Sequence, residues 1–246
     1  MKKNPMKVLS LLGLAAIVTA APAAGVISFN IDNNGTVGNP DGTYNNLMVA
    51  GVVPTIGWIN DWNTYPTTDL PDNTGTATTM DYSSSSNSGT WSQGGHPGQD
   101  ADTTFNREML NGYLNGTGAN STSITLSQIP YSLYDVYVYV ASDNASRSGT
   151  VTDGTTTFSF GVLDGMVAGP NALLVETTDT GLSYPEANYA VFRNLSGDNQ
   201  TFSTSFLTTG EYGGISAFQV VEIVPEPSVV LSGALGFLGL LRRRRA

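Results

Sequence analysis

Apolar and polar residues alternate with a period of two through the middle of the chain. In Tyr134 to Ala141, Tyr134, Val136, Val138 and Val140 fall on one face, and Asp135, Tyr137 and Tyr139 on the other. Thr156 to Val162 sets Phe158, Phe160 and Val162 against Thr157, Ser159 and Gly161, and Ser123 to Ser127 puts Ile124 and Leu126 on one side. Alternation of this kind marks strands with one face against a core. Val26 to Ile31, Leu47 to Val53, Ala172 to Thr177, Tyr189 to Arg193, Thr201 to Leu207 and Gly214 to Val224 are further strand candidates. Asn33-Asn34-Gly35, Asp41-Gly42, Asp153-Gly154 and Ser196-Gly197-Asp198 supply turns between them, because these residues tolerate positive φ. Asp102 to Leu114 reads two ways. Phe105, Met109 and Tyr113 recur at fours as in a helix, while Leu110, Gly112 and Leu114 suit a strand. Many short strands without a fixed-period repeat predict an all-β body over residues 24–222, a single β-sandwich or jelly roll.

The two ends follow different patterns. Lys2, Lys3 and Lys7 precede an apolar run from Val8 to Val18, and Ala21-Pro22-Ala23 then gives small residues at the two positions that signal peptidase reads. Residues 1–23 are therefore expected to be a secretory signal peptide cleaved after Ala23, with cleavage after Ala20 as the other option. Residues 223–246 combine Pro225-Glu226-Pro227, an apolar stretch from Val229 to Leu241, and Arg242, Arg243, Arg244 and Arg245 before the final alanine. As a helix the apolar stretch is about 20 Å long, short of a hydrocarbon core of roughly 30 Å. This short C-terminal hydrophobic helix would lodge in a membrane only marginally. The arginines hold its end on the cytoplasmic side, and the two prolines keep Glu226 in extended backbone that a processing enzyme can reach.

This tripartite end resembles the PEP-CTERM sorting domain. The resemblance covers about the last 23 residues: Pro225, Glu226 and Pro227, a span with Gly233, Gly236 and Gly239, and the arginine cluster. It implies export, transient insertion in the inner membrane, cleavage near Pro225 to Pro227 by an exosortase, and delivery to the cell surface or an extracellular matrix. The order of features in the body weakly resembles galactose-binding-like jelly rolls, through Met109 to Leu114, Leu133 to Tyr139, Asn188 to Phe192 and Gly214 to Val221.

Charge narrows the range of partners. The 246 residues carry 20 acidic and 10 basic side chains, and most of the basic ones lie at the two ends. Residues 24–224 hold 19 acids and only Arg107, Arg147 and Arg193, a formal charge of −16 with no lysine. Nucleic acid is excluded as a partner, because phosphate binding needs clustered Lys and Arg. The lack of cysteine removes disulfides, thiolate metal sites and thiol chemistry, and a single His96 removes any multi-histidine site.

Three classes of function stay open for the body. Trp58, Trp62, Tyr65 and Trp91 lie in a stretch rich in Gly, Asn, Asp, Ser and Thr. Aromatic faces with nearby amides and carboxylates suit a non-catalytic carbohydrate-binding or adhesion module with an extracellular polysaccharide as partner. Trp58 and Trp62 could equally plug one end of the sandwich. A structural matrix protein without a specific ligand is the second class; Ser83 to Ser88 and Thr76 to Thr79 would then be loops or glycan acceptors. A polysaccharide hydrolase is the third. It needs two carboxylates about 5–10 Å apart, and Glu108, Glu176, Glu186, Glu211 and Glu222 are available, but no Gly-x-Ser-x-Gly elbow is present. No catalytic residue is assigned. Calcium is the ion that the oxygen donors Asp32, Asn34, Asn39, Asp41, Asp143 and Asn144 would suit, although they depart from the EF-hand spacing and ordinary Asx turns account for them as well.

Overall fold

The computed structural model describes residues 24–31, 44–45, 47–60, 67–92, 99–117, 122–163, 171–208 and 210–224. The expected signal peptide and the sorting-signal residues Pro225 to Pro227 and Arg242 to Arg245 lie outside the described residues. In chain order the first strands are β1 (Val26–Asn30), β2 (Tyr44–Asn45), β3 (Trp58–Asn60), β4 (Asp81–Ser85) and β5 (Thr90–Ser92). A single turn of helix, α1 (Asn106–Met109), is followed by β6 (Gly112–Leu114), β7 (Gly116–Thr117), β8 (Thr122–Ser127) and β9 (Tyr134–Ser142). The remainder are β10 (Ser148–Thr152), β11 (Thr157–Val162), β12 (Glu186–Ala187), β13 (Tyr189–Leu195), β14 (Gln200–Phe206) and β15 (Tyr212–Glu222).

These strands form a β-sandwich. The first sheet runs β13-β9-β15-β1-β3-β2, with β7 joined to β15, and the second runs β12-β11-β10-β14-β8-β4. The alternating residues of β8 and β9 turn Ile124, Leu126, Tyr134, Val136, Val138 and Val140 into the space between the sheets. Aromatic rings from opposite sheets meet there: Phe29 of β1 stacks on Tyr82 of β4 at 4.1 Å, and Phe192 of β13 lies 4.9 Å from Phe202 of β14. Such pairs add about 0.5–1.5 kcal/mol each to the burial of their area.

The outer face of the first sheet is also buried. Tyr139, Tyr189, Val191 and Ala217 project there and pack with Met48, Ala50, Trp58, Met109, Leu110 and Ala172 from the connecting segments. Leu47 to Val53 and Ala172 to Thr177, expected as strands, are irregular covers: Met48, Ala50, Val52, Ala172 and Leu174 pack against this sheet, while Leu47 and Leu173 are exposed and Val175 packs on the inner core. Each contributes only an isolated bridge, Ala50 with Thr55 and Glu176 with Tyr189. Asp102 to Leu114 satisfies both of its readings in turn, as α1 and then β6. Part of the serine run expected as a loop is strand: Ser83 to Ser85 lie in β4, the edge of the second sheet.

A buried amide fixes the cover in place. Tyr139 Oη donates to Gln219 Oε1 at 2.6 Å and accepts the Val52 N–H at 2.7 Å, while Gln219 Nε2 donates to the Val53 carbonyl at 2.9 Å. Gly51 makes this approach possible. Its φ is +87°, and a Cβ there would lie 2.2 Å from Gln219 Oε1.

A strap closes one side of the sandwich. Thr177 N–H donates to the Tyr189 carbonyl on the edge of the first sheet at 2.8 Å, and its hydroxyl donates to the Ser159 carbonyl in the second at 2.6 Å. Asp179 then organises the turn that follows. Its carboxylate accepts the Ser159 hydroxyl and the N–H groups of Gly181, Ser183 and Tyr184, which hold Leu182 and Tyr184 at positive φ. The Ser159 hydrogen bond, followed by the backbone donors, keeps the Asp179 carboxyl below its ordinary 3.8.

Two outcomes are expected. Tyr139→Phe leaves Gln219 Oε1 and the Val52 N–H without their partner and should cost about 1–3 kcal/mol in denaturant unfolding. The depressed Asp179 pKa contributes stability that is present above the unfolded value and lost as pH falls through the folded one. The melting temperature of the natural chain should therefore fall further between about pH 6 and about pH 3 than that of Asp179→Asn, with the two curves converging in acid.

Candidate functional site

The strap crosses the sandwich edge beside a cleft. Asp153, Thr156 and Phe158 from the β10–β11 hairpin, Glu176 and Thr178 from the strap, and Val191 to Arg193 with Leu195 from β13 line it. Its volume is about 250 Å³. Phe158 is half-buried and meets Phe192 edge to face at 5.3 Å, so an apolar floor separates the cleft from the core.

Arg193 reaches this position because β13 breaks register there. Its pairing with β9 shifts between Phe192 and Leu195, the pattern of a β-bulge, and such irregularities re-aim side chains at strand edges. Asn194 takes φ +56°, which Asn tolerates, and its N–H donates to Asp135 Oδ1 at 2.7 Å. Asp135 so anchored also lies 3.8 Å from Arg193 Nη1, while Nη2 donates to Glu176 Oε1 at 2.9 Å. The Arg193 side chain stays 50% exposed. A guanidinium carries five N–H donors, so donors remain for a ligand in the cleft.

Tyr137 and Tyr189 continue the site along the outer face, their rings 6.4 Å apart. The positive charge of Arg193 acts on the Tyr137 hydroxyl and partly offsets the effect of the neighbouring carboxylates. Burial, then the charge of Asp135, pushes the Tyr137 phenol up, and burial followed by Glu176 does the same for Tyr189. Both phenols are therefore neutral at neutral pH, and of the two rings only that of Tyr137 is partly exposed, Tyr189 being buried in the cover. The cleft thus joins a half-exposed guanidinium, carboxylates, hydroxyls and aromatic rings, a set suited to a small polyhydroxylated molecule.

The aromatic residues singled out in the sequence fare differently. Trp58 is fully buried, its Nε1 donating to the Thr55 carbonyl at 3.1 Å and its ring edge-on to Tyr139. With no free face it is a core residue of the cover, which corrects its assignment to a ligand site. Trp91 is half-buried in β5, its ring 5.4 Å from that of Tyr113 in β6. Trp62, Tyr65 and His96 lie outside the described residues, as do Asp32, Asn34, Asn39 and Asp41 of the calcium set. Asp143, the remaining carboxylate of that set, is paired with Arg147 at 2.7 Å. Among the described residues, no group of three or more His, Cys, Asp or Glu side chains is placed to hold a metal.

Arg193 and Glu176 were legible only as composition, as one of three basic residues and one of many acids. The available signal was the outward register of Tyr189, Val191 and Arg193 at the end of a strand; the partner carboxylate arrives from a segment without any motif.

No family model matches the chain, and no curated protein matches it. Among solved structures the chain is similar to the carbohydrate-binding module TmCBM61 in complex with beta-1,4-galactotriose, at 17% identity over 58% of this chain and 88% of that chain. The TM-score is 0.29.

Because Trp58 belongs to the core, Trp58→Ala should destabilise the body by about 3–5 kcal/mol, read by denaturant unfolding.

Proposed function

We propose that the chain is an exported surface or extracellular-matrix protein whose body is a non-catalytic carbohydrate-binding or adhesion module. The observation that carries this reading is the edge cleft, where Arg193, Glu176 and Asp153 stand over the Phe158 floor. Hydroxyl groups need paired donors and acceptors at fixed spacing, and sugar rings need a flat apolar partner. Glu176 is engaged by the Arg193 guanidinium, an arrangement suited to holding a hydroxyl. With a formal charge of −16 on residues 24–224 the body repels nucleic acid.

Export and sorting rest on the ends of the chain. Signal peptidase acts after Ala23; an exosortase then acts near Pro225 to Pro227 while the hydrophobic span and Arg242 to Arg245 hold the protein briefly in the inner membrane. In the native host, Glu226→Ala should leave the protein in the membrane fraction at its unprocessed mass, whereas the natural chain reaches the cell surface or medium.

The binding reading is tested by titrating the purified full chain against extracellular, plant and algal polysaccharides, with calcium and with chelator. Saturable binding to at least one of them is expected. A folded protein that binds none is a structural matrix component, and loss of binding with chelator would identify calcium as part of the site.

A further inference from the structure

We infer that the edge cleft selects one neutral sugar ring and discriminates against its uronic acid counterpart. This deepens the carbohydrate-binding reading and rests on it.

Charge supplies the first argument. Three carboxylates, Asp153, Glu176 and Asp135, surround or line the cleft against the single guanidinium of Arg193. Arginine is commonly the residue that captures an anion by its two-pronged face. Here Glu176 already takes Nη2 at 2.9 Å, and Asp135 stands 3.8 Å from Nη1. An incoming carboxylate on a remaining N–H would add a fourth negative charge beside Glu176, Asp135 and Asp153, with one guanidinium to balance all four. A hydroxyl group adds no charge. It can accept from a remaining guanidinium N–H and donate to Glu176 without breaking the pair.

Size and shape supply the second. About 250 Å³ lies below the roughly 300–1,000 Å³ of pockets that enclose drug-sized ligands, so the cleft has space for a single ring. Phe158 gives that ring an apolar floor, and the exposed Thr178 on the strap forms part of the opposite wall.

The test uses matched probes on the purified full chain: methyl glycosides of glucose, galactose and mannose and of glucuronic, galacturonic and mannuronic acids, titrated by calorimetry at low and high salt. At least one neutral ring should bind, at least about tenfold more tightly than its own uronate at low salt, with the gap narrowing as salt screens the carboxylates. Two variants locate the site. Arg193→Ala removes the donor and should weaken binding at least about tenfold, about what one hydrogen bond to a charged group contributes. Thr178→Trp fills the cleft from an exposed position and should abolish binding with an unchanged melting temperature. A uronate that binds as tightly as its neutral partner overturns the selectivity. Binding of the neutral ring that survives both variants overturns the location and leaves the carbohydrate reading intact. If neither these probes nor any polysaccharide binds, both readings fall together.

Discussion

The first sheet must bury both of its faces, and the second sheet covers only one of them. Among the described residues, the irregular segments over its outer face follow from that constraint. The outer face carries Tyr139, Tyr189, Val191 and Ala217, and the segments around Met48, Trp58, Met109 and Ala172 cover them. Irregular backbone over a sheet brings polar groups into an apolar layer, and each needs a partner. Gln219, fully buried in the central strand β15, provides one for the Val53 carbonyl; Tyr139 in β9 provides one for the Val52 N–H. The hydrogen bond between these two side chains makes them one unit, so the cover and the sheet are expected to stand or fall together.

The same layering explains what the sequence disclosed. Period-two strands packed on a single core, such as Ser123 to Ser127 and Thr156 to Val162, were readable because one face is apolar and the other is not. Leu47 to Val53 and Ala172 to Thr177 misled because residues such as Met48, Ala50 and Ala172 face a sheet as parts of a lid, and a lid has no obligatory backbone pairing. The strands Asp81–Ser85 and Ser148–Thr152 were invisible for the opposite reason. The first is serine-rich at a sheet edge. The second buries Gly149 where an added Cβ would lie 2.8 Å from the Ser205 carbonyl, so packing there requires the absence of a side chain. The tryptophan-rich stretch suggested an aromatic platform, yet hydrophobic burial claimed Trp58 for the cover. The cleft around Arg193 depends on a bulge and on a strap distant in sequence, neither of which leaves a local pattern.

Charge and architecture meet in the three arginines of the body. Arg107 pairs with Asp100, Arg147 with Asp143, and Arg193 with Glu176 and Asp135. Arg107 and Arg147 hold loops: Asp100 also accepts the Ala172 N–H, and Arg147 also donates to the Tyr212 carbonyl. Arg193 is the most exposed of the three and also lines the edge cleft, which sets it apart from the two that hold loops.

The strap has a consequence for life at high local density. Open strand edges invite strand addition between molecules, the route to fibrous aggregation. Here the β13 edge is occupied through Thr177, and β11 receives Asp179 and Pro185 through the Ser159 and Gly161 N–H groups. On the far side of the second sheet, Thr67 exchanges two hydrogen bonds with Tyr82 and covers β4, while the first sheet ends in the two residues of β2. A body built this way can be crowded at a surface or in a matrix without its strands templating a polymer of its own kind.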